Sequence, residues 1–178
     1  MQYYHLTFTP ICDTMYIVKE REVNKMKKFV IWLFIKSINP RLKVVFTDEE
    51  SSFEWSTDTI YLNLNENCDG FMRHLRTEHH VNDCWRINKV IWQVLHEIGH
   101  YYTLDFIEED DDEIFERAVC GLIDKDTAEN NEKIQDIYFN LEKEWQATEW
   151  AIRYAKQHFT KCKFFNKFLK TLDKLPLM

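Results

Sequence analysis

His96, Glu97 and His100, in the run His96-Glu97-Ile98-Gly99-His100, are the residues whose types and spacing could do chemistry. Two histidines four apart stand one above the other on one face of an α-helix, so both imidazoles reach a single metal ion. The glutamate after the first histidine projects beside that face, where it can take a proton from metal-bound water. Residues 88–104 read as the helix this requires. Val90, Val94, Ile98 and Tyr101 recur along one side, while Trp92, His96 and His100 line up on another. Gly99 alone interrupts the pattern, at a cost of about 1 kcal/mol relative to alanine in a helix interior.

A hydrolytic zinc ion has three protein ligands and a water, so a third ligand is required. The metzincin arrangement needs a histidine at position 106, and Phe106 excludes it. In gluzincins the third ligand is a glutamate on a later helix. Residues 131–160 read as one long amphipathic helix with Ile134, Ile137, Leu141, Trp145, Ile152, Ala155 and Phe159 on its apolar face. Glu144 falls within that face, among Ile137, Leu141, Thr148 and Ala151, whereas Glu142 and Glu149 fall towards solvent. A carboxylate among apolar neighbours is costly unless paired or metal-bound, which selects Glu144 as the third ligand. The small residues Ala147 and Ala151 would let the two helices approach closely. Should residues 105–130 fold against the site, Glu116 or Glu113 is the next choice.

The run Glu144-Trp145-Gln146-Ala147-Thr148-Glu149-Trp150-Ala151 resembles the ExxA(N/D)xxA helix of the ImmA/IrrE-type zinc peptidases, which are thermolysin-like gluzincins. His96 to His100 resembles their HExxH helix, and residues 59–64 the strand preceding it. The resemblance spans about residues 42–159, its specific part being roughly a dozen positions. It implies a zincin-like α+β fold, a Zn2+ cofactor, a protein or peptide substrate and a cytoplasmic location, in a host's cytoplasm if a phage or mobile element encodes the chain. Thr148 stands where the family has Asn or Asp, a residue that orients a zinc-bound histidine. The interval from His100 to Glu144 is longer than in compact members, which implies an insertion over 105–130.

The elements that must position these residues follow. Residues 13–38 form an amphipathic helix closed by Asn39-Pro40. Residues 42–47 and 59–64 alternate as strands, with 53–55 as a further short one. Within 59–64, Thr59, Tyr61 and Asn63 share one face, and this strand is expected to pair with an extended substrate through its main chain. Residues 65–86, with Cys68, His74, His79, His80 and Cys84, read as a solvent-facing insertion. The acidic run 108–113 reads as a solvated loop or helix start without the spacing of a calcium loop. Residues 161–178 interleave five lysines with apolar residues, so this segment packs on its own domain or touches an acidic membrane or partner.

Composition narrows the class. Three glycines and three prolines in 178 residues favour long helices in a single domain, 1–178. A net charge of −7 gives no reason to expect nucleic-acid binding. Five scattered cysteines with no CxxC pair fit a reducing compartment. The first twelve residues lack the pattern of a secretory signal, and no apolar run reaches the roughly twenty residues of a membrane span. The leading expectation is a zinc metallopeptidase in which Glu97 is the base. A catalytically silent zincin-fold binding or sensing module, and a helical protein with an accidental motif, are the other readings.

Overall fold

The computed structural model describes residues 11–82, 86–103, 111–123 and 127–174. It is mostly helical, with a small mixed sheet, and so belongs to the α+β class. Helix α1 (Ile11–Ile38) leads into strands β1 (Lys43–Phe46), β2 (Ser52–Glu54) and β3 (Thr59–Leu62). Helices α2 (Asp69–Thr77), α3 (Lys89–Thr103), α4 (Asp111–Val119), α5 (Ala128–Phe139), α6 (Glu142–Gln157) and α7 (Phe159–Asp173) follow.

The strand order is β1-β3-β2, with β1 parallel and β2 antiparallel to β3. β3 is therefore central, and both of its backbone edges are taken over residues 59–61. Substrate pairing along this strand is overturned by that position. Thr59 is buried, the Tyr61 hydroxyl donates to Glu54 Oε2 at 3.2 Å, and Asn63 donates to the Asp48 carbonyl at 3.0 Å. Among the described residues, the edges left without a strand partner belong to β1 and β2.

Helix α3 runs through the core, burying Ile91, Trp92, Val94, Leu95 and Ile98. A helix apolar on nearly all sides has neighbours on nearly all sides. The sheet contributes Ile60 and Leu62, α1 contributes Ile31, Phe34 and Ile35, and α6 contributes Ala151, Ile152 and Ala155. α7 buries Cys162, Asn166 and Leu169, and Phe165 meets Phe34 of α1 with ring centroids 5.0 Å apart. The lysine-rich segment thus packs on its own fold. Asn166 also fixes the start of α3, accepting from Asn88 N at 2.8 Å and donating to the Arg86 carbonyl at 2.7 Å. Among the described residues no helix is long and apolar enough to cross a membrane.

Two expectations need correction. Residues 131–160 are not one helix: the chain turns at 140–141 and again at His158, giving α5, α6 and the start of α7. The first turn places Leu141 in extended conformation as the N-cap of α6 and buries its side chain. Residues 65–86 are not a peripheral insertion either. Helix α2 buries Phe71, His74 and Leu75, with Phe71 and Leu75 on one face at a spacing of four. Arg73 on its outer face pairs with Glu132 at 2.5 Å and Asp136 at 3.0 Å, tying α2 to α5.

Candidate metal centre

The close crossing of α3 over α6 creates the site, and Gly99 permits that crossing. A Cβ at position 99 would stand 2.3 Å from the Ala147 carbonyl oxygen, so any side chain there collides with backbone. Ala147 and Ala151 on α6 are completely buried and keep the facing surface low. At this separation Glu144, 2 % exposed, reaches across to the histidines of α3.

His96 Nε2 lies 2.9 Å from Glu144 Oε2, His100 Nε2 lies 3.5 Å from the same oxygen, and the two Nε2 atoms are 3.2 Å apart. The three ligand atoms all fall within 4.8 Å of one another, so His96, His100 and Glu144 could hold one metal ion. The hydrogen bonding around them fits a cation. Thr148 donates its hydroxyl proton to the Glu144 carbonyl at 2.8 Å, leaving its oxygen to accept from His96 Nδ1, 3.1 Å away. A neutral His96 with its proton on Nδ1 turns an unprotonated Nε2 towards Glu144 and His100. At this buried point the Glu144 carboxylate can be met either by a proton on a histidine or by a bound cation. Thr148, which stands where the resembled family has Asn or Asp, thus places a hydroxyl beside His96 Nδ1.

Charge in the site follows the same geometry. Burial pushes the Glu144 carboxyl up, but hydrogen bonds from His100 and His96 outweigh it and hold the group well below the usual carboxylate range. Burial lowers His96. It also opposes charge on His100, yet the bond to Glu144 wins there and raises that imidazole. Glu97, 6 % exposed, is pushed up to about 8, chiefly by burial and then by the charges of Glu144 and Glu66.

A cavity of about 380 Å³ opens on His96 and Glu97, with Phe71, Gln93, Tyr138 and Phe139 in its walls. Of the tyrosines on these helices, Tyr138 alone lines it. Its phenol is held far above its ordinary range, by burial and then by the Glu144 charge. Tyr101 meets Phe53 edge-on at 5.9 Å, Tyr102 stacks on Trp150 at 4.9 Å, and Tyr154 takes a bond from Lys161 at 3.2 Å.

The other named carboxylates lie elsewhere. Glu113 and Glu116 are exposed on α4. Glu142 accepts from Gln146 at 2.6 Å on the outer face of α6. Glu149 Oε1 lies 3.2 Å from His79 Nδ1. Thr59 and Tyr61 do not line the cavity, and Asn63 reaches its wall only through Ser51, whose hydroxyl accepts from Asn63 N at 2.9 Å.

Sequence reasoning missed three contributors. Phe71 of α2 covers His96, the ring centroids 5.0 Å apart. Asp111, from the acidic run, is buried and accepts from Lys143 N at 2.8 Å, capping α6 one residue before Glu144. Its run starts a helix, and this member of it is not solvated. Gln93 stands one turn before Glu97 on the same helix face, a spacing of four that was visible in the sequence. The chain matches no protein-family model, no curated protein and no solved structure.

Proposed function

We propose that this protein is a zinc-dependent metallopeptidase of zincin-like fold, hydrolysing peptide bonds of a protein or peptide substrate in the cytoplasm. One observation carries the reading. His96, His100 and Glu144 converge within 4.8 Å while Glu97, on the same helix as the histidines, lines a cavity that His96 also lines. His96 Nε2, His100 Nε2 and a Glu144 oxygen would hold the ion. Zinc, when bound, supplies Lewis acidity and a water that ionises near neutral pH.

The chain's own groups supply the rest. Glu97 takes the proton of the attacking water and delivers it to the leaving amine, and burial already brings its carboxyl towards neutrality. Tyr138 keeps its proton and lines the same cavity, so its hydroxyl is the donor available to the carbonyl oxygen as negative charge develops there. β2 is the sheet edge beside the site: Ser51, immediately before it, lines the cavity, and Phe53 rests on Tyr101 of α3. An extended substrate adds to that edge by main-chain hydrogen bonds.

The test combines elemental analysis with proteolysis of a peptide library. Wild-type protein is expected to carry one zinc per chain and to cleave. His96→Ala and His100→Ala are expected to lose the metal. Glu97→Gln keeps zinc but loses cleavage, because an amide preserves shape and cannot take the proton. Wild-type protein without zinc, or cleavage undiminished in Glu97→Gln, would sink the proposal. Zinc without any cleavage would convert it to a silent binding module.

A further inference from the structure

The polar lining of the cavity is weighted towards acceptors, although Ser51, Asn67 and Gln135 add donors to it. Gln93 is 6 % exposed, and its amide orientation is dictated by its neighbours. Its Nε2 donates to Ser51 Oγ at 2.6 Å and to Glu66 Oε2. A carboxylate can only accept, so the NH2 end must face Glu66. The other end, Oε1, is then buried with no hydrogen-bond partner among the described residues. Leaving a buried acceptor unmade is unfavourable, so this atom calls for a donor from outside the chain. Glu50 and Glu66 line the same cavity beside Glu97, and none of its described lining residues is Lys or Arg. The nearby Lys89 ammonium bonds the main-chain oxygen of Glu66, at 3.5 Å, and not its carboxylate.

Phe71, Phe115, Tyr138 and Phe139 supply the aromatic part of the lining. Aromatic faces take a flat cation by stacking, which an ammonium does less well than a guanidinium. A group that donates several hydrogen bonds, carries positive charge and is planar fits this lining best. Arginine meets all three requirements. Lysine meets the charge but not the plane, an aliphatic side chain leaves Gln93 Oε1 unmet, and an acidic one is repelled. Gln93 and Glu97 are four residues apart on the helix, about 6 Å along its axis. An extended chain advances about 3.3 Å per residue, so the side chain read by Gln93 belongs to a residue one or two places from the scissile bond.

We propose that this cavity is a specificity pocket for an arginine side chain of the substrate, recognised by Gln93 Oε1, Glu66 and Glu50 against the aromatic wall. The inference rests on reading the cavity as the peptide site, and its test separates the two. Zinc-loaded Glu97→Gln protein is titrated, by fluorescence anisotropy, with heptapeptide libraries holding Arg, Lys, Met or Glu at each position in turn. At one position Arg is expected to bind at least tenfold tighter than Met, with Lys between them and Glu weakest. Gln93→Met and Glu66→Gln should each erase most of that preference. Glu50→Lys, at an exposed residue that cannot disturb the core, should cut it severalfold. Equal binding of the Arg and Met libraries at every position overturns the proposal, as does an Arg preference untouched by all three substitutions. Wild-type cleavage of the same libraries is a separate readout. Arg-selective binding without Glu97-dependent cleavage would remove the peptidase reading and leave a basic-peptide site standing.

Discussion

At the scale of single residues, the site depends on a hydroxyl that touches no metal. Thr148 accepts from His96 Nδ1 and donates to the Glu144 carbonyl, so one side chain sets both the tautomer of one ligand and the backbone beside another. Thr148→Val keeps the shape and removes both bonds. Loss of such an orienting partner typically weakens metal binding roughly 10–100-fold. Zinc affinity measured by competition with a chelating dye is expected to fall in that range while the fold persists. An unchanged affinity would mean that His96 needs no such partner. Tyr138→Phe tests a different role. If the phenol stabilises developing charge, kcat falls roughly 100-fold or more while zinc content and KM stay near wild type. A change confined to zinc content would instead make Tyr138 a positioning residue for Glu144, whose charge reaches it.

At the scale of elements, the contact of α3 with α6 decides whether these residues meet. Gly99→Ala gains about 1 kcal/mol of helix propensity. It also places a methyl group 2.3 Å from a carbonyl oxygen that belongs to the backbone and cannot rotate away. Overpacking of that kind costs about 1–3 kcal/mol or more, so the clash wins and the helices must separate. The variant is expected to unfold at lower denaturant and to bind zinc poorly. A stability at or above wild type would show that the helices slide past one another freely. α2 carries a pH dependence. His74 is 2 % exposed, lies 5.2 Å from the Phe139 ring, and is lowered from 6.5 to about 4, chiefly by burial. Between those two values the unfolded chain binds the proton more readily than the folded one. Stability from a neutral His74 is therefore whole above pH 6.5 and declines as pH falls towards 4, by roughly 2–3 kcal/mol. Urea unfolding at pH 7 and pH 4.5 should show a smaller acid loss in His74→Phe than in wild type. Equal losses would contradict the assignment. The same elements mark how much was legible in the sequence. α3 and the grouping of Glu144 with its histidines were readable, because periodicity and ligand chemistry are local properties. The break at 140–141 was not, since it has no Pro or Gly and is held from a distance by Asp111 on the amide of Lys143. Strand order was not readable either, because three short strands do not state which of them lies in the middle. α2 was hidden by its polar composition, although Phe71 and Leu75 stood four apart.

At the scale of the whole molecule, the triad joins two helices that most of the other elements support. α6 is capped from α4 by Asp111, while α3 is held at its start by α7 through Asn166 and at its side by β2 through Phe53 and Tyr101. Cross-linking α3 to α6 therefore opposes unfolding of the core itself, since Ile98 and Ala151 belong to the same buried cluster. A ligand that binds only the folded chain stabilises it by about 4 kcal/mol when present at a thousandfold excess over its Kd. For a chain of 178 residues each kcal/mol moves Tm by roughly 2–4 °C, so the excess should raise Tm by roughly 8–16 °C. The measurement is a thermal melt of chelator-treated protein titrated with zinc. Tm should climb with zinc concentration in wild type and in Glu97→Gln, because the base is not a ligand. It should stay flat in His96→Ala and Glu144→Ala, which lack one corner of the triad. A Tm indifferent to zinc in wild type would mean that the convergence of His96, His100 and Glu144 is a polar core contact and not a metal centre. A rise that survives in Glu144→Ala would place the third ligand elsewhere.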